Sequence, residues 1–144
     1  DELVAYRLDV PDGQAALPAV AAIGDGWYDL EGSGPEAHRW LQPGGGAVQL
    51  YAPQDETVTL QMKLASYQES RQLDVYLDDQ PIGHVEARLA PTETRTPPFQ
   101  MRAGPHTLRL VPSGPGISPR VAGAGADDRP LTVVVFELEV ESGD

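Results

Sequence analysis

The residues with the most chemical content gather in two places. Gly26, Trp27 and Tyr28 are followed by Glu31, Glu36, Arg39 and Trp40, and far downstream Asp127, Asp128 and Arg129 stand just ahead of the hydrophobic run 131–140. Aromatic faces beside carboxylates suit a sugar: the flat C–H faces of a pyranose stack on Trp27, Tyr28 or Trp40 while Glu31 and Glu36 accept hydrogen bonds from its hydroxyls. The competing role for the tryptophans is structural. Two Trp and two Phe in 144 residues make large aromatics scarce enough to be needed as core fillers. That role suits Trp40, beside a strand, better than an open platform does. For Trp27, in its Gly-rich loop, both roles stay open, and Tyr28 is expected to be more exposed than either.

The charged members of the two groups admit three uses. Arg39 and Arg129 can each grip a carboxylate through two N–H groups, with Glu36, Asp127 and Asp128 as partners, so that the early loop is fastened to the start of the last strand. This structural clamp is preferred. Glu31 with Glu36, or Asp127 with Asp128, could instead be the acid and base of a glycoside hydrolase, which needs a set separation and one raised pKa. Among 22 acidic residues, however, neighbouring carboxylates arise by chance. Calcium is the third use, held by Asp78-Asp79 or Asp127-Asp128, but neither pair lies in a dedicated loop spacing. A hairpin turn at Asp78-Asp79 and an ion pair at Asp127-Asp128 are the better readings, and no cofactor is expected.

Other chemistries are excluded more simply. Without cysteine there is no thiolate nucleophile, thiolate-bound metal or disulfide framework. His38, His84 and His106 lack metal-binding spacing and are expected to be solvated or hydrogen-bonded surface groups. No Gly-x-Ser-x-Gly elbow occurs, and Gly44-Gly45-Gly46 reads as a flexible turn rather than a phosphate cradle. A net charge of −12 argues against nucleic acid and anionic membrane surfaces as partners. No apolar run approaches the roughly 20 residues that span a bilayer.

The elements that must carry these residues are strands. From 57 to 65, Val58, Leu60, Met62 and Leu64 alternate with Thr57, Thr59, Gln61 and Lys63, the pattern of a strand buried on one face. Leu73, Val75 and Leu77 repeat it, and Asp78-Asp79-Gln80 then turns the chain toward Ile82, Val85 and Ala87, with Pro81 placed where no ladder N–H is needed. The run 131–136 predicts a central strand covered on both sides at its start. Further strands are expected at 3–10, 47–51, 99–101 and 108–110, separated by Gly/Pro turns at 11–13, 43–46, 103–105 and 112–116. The Ala-rich stretch 14–23, interrupted by Pro18, reads as loop or a single turn. About eight strands at ten-residue spacing predict an all-β fold: an antiparallel two-sheet β-sandwich, jelly-roll-like, forming a single domain over 1–144.

Gly-Trp-Tyr at 26–28, an acidic residue, Arg39-Trp40, alternating strands, Ser118-Pro119 and Asp127-Asp128-Arg129-x-Leu131 before a final hydrophobic strand resemble the β-sandwich at the C-terminus of bacterial polytopic membrane glycosyltransferases and related surface-polysaccharide proteins. Leu41 and Pro43 depart from that pattern, where a small hydroxyl residue is more typical. The resemblance implies a carbohydrate-binding-module-like, extracytoplasmic and non-catalytic accessory domain beside a membrane-embedded transferase. Its implied partners are a carbohydrate or its own membrane domain. With Asp1 in place of a Met, the chain reads as part of a longer membrane-associated protein. Two functions follow: carbohydrate binding, or a protein assembly module that contacts no sugar. An acid-pair glycosidase is a distant third.

Overall fold

The computed structural model describes residues 20–142; the strand and turn expected at 3–10 and 11–13 lie outside them. Among the described residues ten strands form two antiparallel sheets. In the first, β1 (Val20–Ile23), β3 (Gly46–Ala52), β9 (Gly104–Pro112), β5 (Arg71–Leu77) and β6 (Gln80–Ala87) lie side by side in that order. The second runs β2 (Arg39–Trp40), β10 (Val133–Ser142), β4 (Glu56–Ser66), β7 (Thr92–Arg95), with β8 (Phe99–Met101) paired to the first half of β4. The only helical piece among the described residues is a single 3-10 turn, Gly34–Glu36, with Pro35 just inside its start. This is the two-sheet, jelly-roll-like β-sandwich expected from the alternation.

Period two explains the core. Val58, Leu60, Met62 and Leu64 of β4 are buried toward the other sheet while Thr57, Thr59, Gln61 and Lys63 are only partly covered. They meet Leu73 and Val75 of β5 and Leu108 and Leu110 of β9, all fully buried. Each such side chain stabilises the fold by roughly 1.5–3 kcal/mol on leaving water. Asp78 and Asp79 both adopt positive φ, 49° and 70°, the geometry of a two-residue type I′ turn whose twist matches the strands it joins. Pro81 faces Tyr76 beside a register shift on edge strand β6, where a missing N–H is tolerated.

Two readings of the sequence are corrected. Val20–Ile23 is a strand and not a loop: it pairs antiparallel with β3, Ala22 opposite Gln49, and this non-local ladder overrides the weak local preference of an Ala-rich segment. The glycine run is a turn only in part: residues 43–44 turn, closed by the Gly45 N–H to the Gln42 carbonyl at 2.8 Å, but its last member belongs to the sheet. Gly46 opens β3 in a fully packed spot, where a Cβ would fall 2.5 Å from Leu41 and 2.8 Å from the Trp27 indole nitrogen.

A buried arginine ties the sheets' loops together. Arg71, 3% exposed, donates to the Ser66 hydroxyl at 3.0 Å and to the carbonyls of Tyr67 at 2.6 Å, Thr132 at 3.1 Å and Pro115 at 3.0 Å. Segments before β5, after β9 and before β10 thus share one guanidinium. Nothing in the local pattern marked it out.

Candidate functional site

The site begins with an interruption in β10. Val133 and Val135 point into the core, but the next inward residues are Leu138 and Val140, a step of three where alternation demands two. The extra residue is Phe136. Val135 pairs with Leu64 and Glu137 with Lys63, so Phe136 faces no partner on β4. Such a bulge re-aims a side chain, and here it turns the Phe136 ring outward, half-buried, on the outer face of the second sheet. At the start of the same strand Val133, Val134 and Val135 are buried on both faces, as the apolar run predicted.

Around Phe136 lies a shallow cleft of about 360 Å³, lined also by Pro35, Glu36, His38, Lys63 and Pro91. Its lining mixes apolar Phe136, Pro35 and Pro91 with polar Glu36, His38 and Lys63. The His38 ring stands 6.0 Å from Phe136 at 57°, its Nδ1 lies 2.8 Å from the Glu36 carbonyl and its Nε2 lies 3.5 Å from a Glu31 carboxylate oxygen. Backbone bonds between Glu31 and His38 in both directions, 2.9 and 2.8 Å, close the small loop carrying Gly34–Glu36 and so fix this wall.

Behind His38 the two distinctive sequence segments come together. Arg129 grips Asp127 through Nε, at 3.1 Å to each carboxylate oxygen, and through Nη2 at 2.7 Å. Its Nη1 donates to Glu31. The guanidinium carbon lies 5.2 Å from the centre of the Tyr28 ring, a cation–π contact, and the Tyr28 hydroxyl donates to the Pro130 carbonyl at 3.2 Å. The side-chain and backbone hydrogen bonds from Arg129 hold the Asp127 carboxyl below the usual carboxylate range, and those two carboxylates raise the arginine above its own.

The predicted residues therefore divide. Tyr28, Glu31 and Glu36 border the cleft or its supporting network. Trp27 does not: it is 8% exposed, packed in the core, its indole N–H donating to the Ala47 carbonyl at 2.9 Å. A platform role requires an open ring face, and this ring lies against Gly46 and the buried cluster. Trp40 is half-buried on β2, opposite Val134, with its ring edge-on to Tyr67 at 5.8 Å.

The expected clamp between early loop and last strand exists with partners other than those proposed. Glu31 and Asp127 hold Arg129, whereas Arg39 donates to the Tyr28 carbonyl at 3.1 Å and Glu36 has no ion pair among the described residues. Asp128 pairs with Arg120 at 3.0 Å, both largely exposed. Arg39 lies on a two-residue strand whose direction is set by pairing with Val135, and this turns it from the late acids. Phe136, His38 and Lys63 were not predicted as site residues. No local signal marked the first: Val134, Phe136, Leu138 and Val140 alternate regularly and read as one face, which the bulge splits.

The carboxyls with displaced pKa values, Asp78 and Asp127, are both lowered, while a glycosidase acid needs one raised. Among the described residues no group of three or more His, Asp or Glu gathers as a metal site. Asp78 instead holds its own turn, accepting from the Thr107 N–H at 2.9 Å and lying 2.6 Å from His106 Nδ1.

Three solved structures illustrate what the chain is similar to. A family 35 carbohydrate binding module from Clostridium thermocellum superposes with a TM-score of 0.51 at 11% identity, covering 86% of this chain and 92% of that one. The CBM36-1 domain of a multidomain xylanase from the hindgut metagenome of Trinervitermes trinervoides gives 0.51 at 10% identity, covering 88% and 97%. A ruminal GH26 endo-beta-1,4-mannanase gives 0.50 at 9% identity over 81% of this chain, which spans only 21% of the enzyme's length. No family model matches the sequence, and no curated protein matches it. At these identities the likeness establishes fold: the chain is a carbohydrate-binding-module-like β-sandwich.

Proposed function

We propose that this chain is a non-catalytic carbohydrate-binding domain, carried on the extracytoplasmic side of a bacterial envelope protein of glycosyltransferase type. The observation that carries the binding half is the bulged Phe136 in its cleft. A ring turned out of a β-sandwich into a cleft that Pro35, Pro91, His38, Glu36 and Lys63 also line offers an apolar face for a sugar's C–H surface and polar groups for its hydroxyls. The volume suits one or two sugar rings. The fold shared with modules whose names describe carbohydrate binding supports the same reading. The parent context rests on the motif resemblance of residues 26–40 and 118–131.

Titration calorimetry of the purified chain against a panel of envelope oligosaccharides, repeated with Phe136→Ala, tests the reading. Binding by the parent chain and a roughly tenfold loss in the variant, about 1.4 kcal/mol, is expected, with an unchanged fold by circular dichroism. Absence of binding across the panel, or equal binding by the variant, overturns it.

One observation favours the assembly reading. In the loop between β9 and β10, residues 121–126 are all exposed, with Val121 at 83% and three alanines among them. A solvent-facing apolar tip on an acidic domain is a surface for a protein partner. Co-purification with the parent's membrane domain that is lost in Val121→Asp, in a chain that binds no sugar, would move the function there.

A further inference from the structure

We propose that Arg129, with Asp127 and Glu31, is itself a ligand-reading element and recognises a vicinal diol of the sugar: the guanidinium donates to one hydroxyl oxygen while a carboxylate accepts from its neighbour. This deepens the carbohydrate reading and rests on it. A guanidinium carries five N–H groups, and three are committed, Nε and one on Nη2 to Asp127 and one on Nη1 to Glu31. One N–H on each terminal nitrogen is left. Arg129, Asp127 and Glu31 are all about one third exposed, at 33%, 34% and 34%, so these donors and the spare carboxylate lone pairs are open to a ligand without being loose.

The plane of the guanidinium is fixed from three directions: the two-point grip of Asp127, the Glu31 carboxylate, and the Tyr28 ring. Asp127 is fixed in turn by the backbone N–H of Arg129 at 2.9 Å, and Tyr28 by the Pro130 carbonyl. Donors and acceptors held side by side match adjacent ring hydroxyls, whose oxygens lie about one hydrogen-bond length apart. Preorganisation of this kind removes the ordering cost that weak polar ligands cannot meet. The contrast lies nearby. Arg120 and Asp128 form a comparable pair at 3.0 Å but are 67% and 68% exposed and rest on no ring, so water competes for every group. Continuity with the cleft comes through Glu31, which touches His38, and His38 touches Phe136.

The test uses the full chain and a sugar from the panel that binds it, together with the monodeoxy analogues of that sugar at each ring position, followed by calorimetry. Arg129→Lys keeps the charge and loses the fork; Arg129→Gln loses both. We expect two adjacent deoxy positions each to cost about tenfold, both arginine variants to cost at least tenfold, and the same deoxy analogues to bind the variants no worse than the parent sugar does. Equal affinity for all deoxy analogues, or unaltered binding by Arg129→Lys, overturns the diol assignment while leaving the Phe136 cleft standing. Silence of the unmodified chain toward every sugar removes both. The deoxy series reads the contact without altering the protein, so an arginine variant that fails to fold leaves the inference open to refutation.

Discussion

Trp27 decides whether the aromatic segment serves the core or the surface, and replacing it by Ala separates the two. The indole is 8% exposed and sits in the main cluster. A buried aromatic of this size removes about 150–250 Å² from water, and Trp→Ala in a core costs about 3–5 kcal/mol including the cavity left behind. The hydrogen bond from the indole nitrogen adds little, because the Ala47 carbonyl also accepts from the Gly24 N–H at 2.9 Å and is not left unpaired. For a domain of this length each kcal/mol moves the midpoint by about 3–4 °C, so Trp27→Ala should lower Tm by about 10–20 °C in differential scanning calorimetry. Against a total of about 5–15 kcal/mol, a folded fraction survives at low temperature. Trp27→Phe should fall between, about 1–2 kcal/mol below the parent. A Tm within about 3 °C of the parent, combined with lost sugar binding, would refute the core assignment and restore the ring as a platform.

Three further predictions rest on equally local geometry. Gly46→Ala inserts a methyl 2.5 Å from Leu41 and 2.8 Å from the Trp27 nitrogen, and urea unfolding should show about 1–3 kcal/mol of destabilisation, less if Trp27 is already shortened. Arg71→Met removes the guanidinium that the carbonyls of Tyr67, Thr132 and Pro115 share, and should cost about 1–3 kcal/mol in lost hydrogen bonds, because the Tyr67 and Thr132 carbonyls keep the N–H groups of Glu69 and Tyr67, each at 2.8 Å; unchanged stability would mean that those loops are held by other means. His106 faces acceptors on both ring nitrogens, Asp78 at 2.6 Å and the Arg102 carbonyl at 2.7 Å, so the hydrogen bond to Asp78 holds it protonated above the ordinary histidine value. Burial pushes the Asp78 carboxyl up, but the bonds from His106 and Thr107 outweigh this and leave it low. The histidine's contribution is complete below its unfolded pKa and is lost as pH rises through the raised value; that of Asp78 is complete above its unfolded pKa and is lost as pH falls through the lowered one. NMR titration of the His106 ring should therefore show a raised midpoint that Asp78→Asn returns toward normal, and a midpoint already normal in the parent chain would contradict the clasp.

Alternation made most of the sandwich legible. The face of β4 carrying Val58, Leu60, Met62 and Leu64 is buried as written in the sequence, and the two aspartates make the hairpin turn. What stayed hidden depends on partners distant in the chain. Residues 92–95, Thr-Glu-Thr-Arg, have no apolar pattern and become β7 only because Gln61 to Leu64 offer a free edge. Trp27 was open to either role because nothing near it in sequence says that Gly46, nineteen positions on, leaves room beneath the indole. The clamp was foreseen in kind but not in membership: Glu31 and Asp127 meet at Arg129 through a fold that brings positions 98 residues apart together. For Phe136 the pattern pointed the wrong way: Val134, Phe136, Leu138 and Val140 alternate unbroken against Glu137 and Glu139 and read as one face, and only the bulge between Val135 and Glu137 separates the ring from Leu138 and Val140.

Sugar bound in the Phe136 cleft and by Arg129 behind His38 should be visible at the backbone amides of both. Backbone amide shifts followed by ¹H–¹⁵N correlation NMR, during titration with the tightest-binding envelope oligosaccharide, test this most directly. The predicted result is saturable perturbation confined to His38, Lys63, Phe136 and Arg129 and their chain neighbours; saturable shifts centred elsewhere, with those amides unmoved, would contradict it.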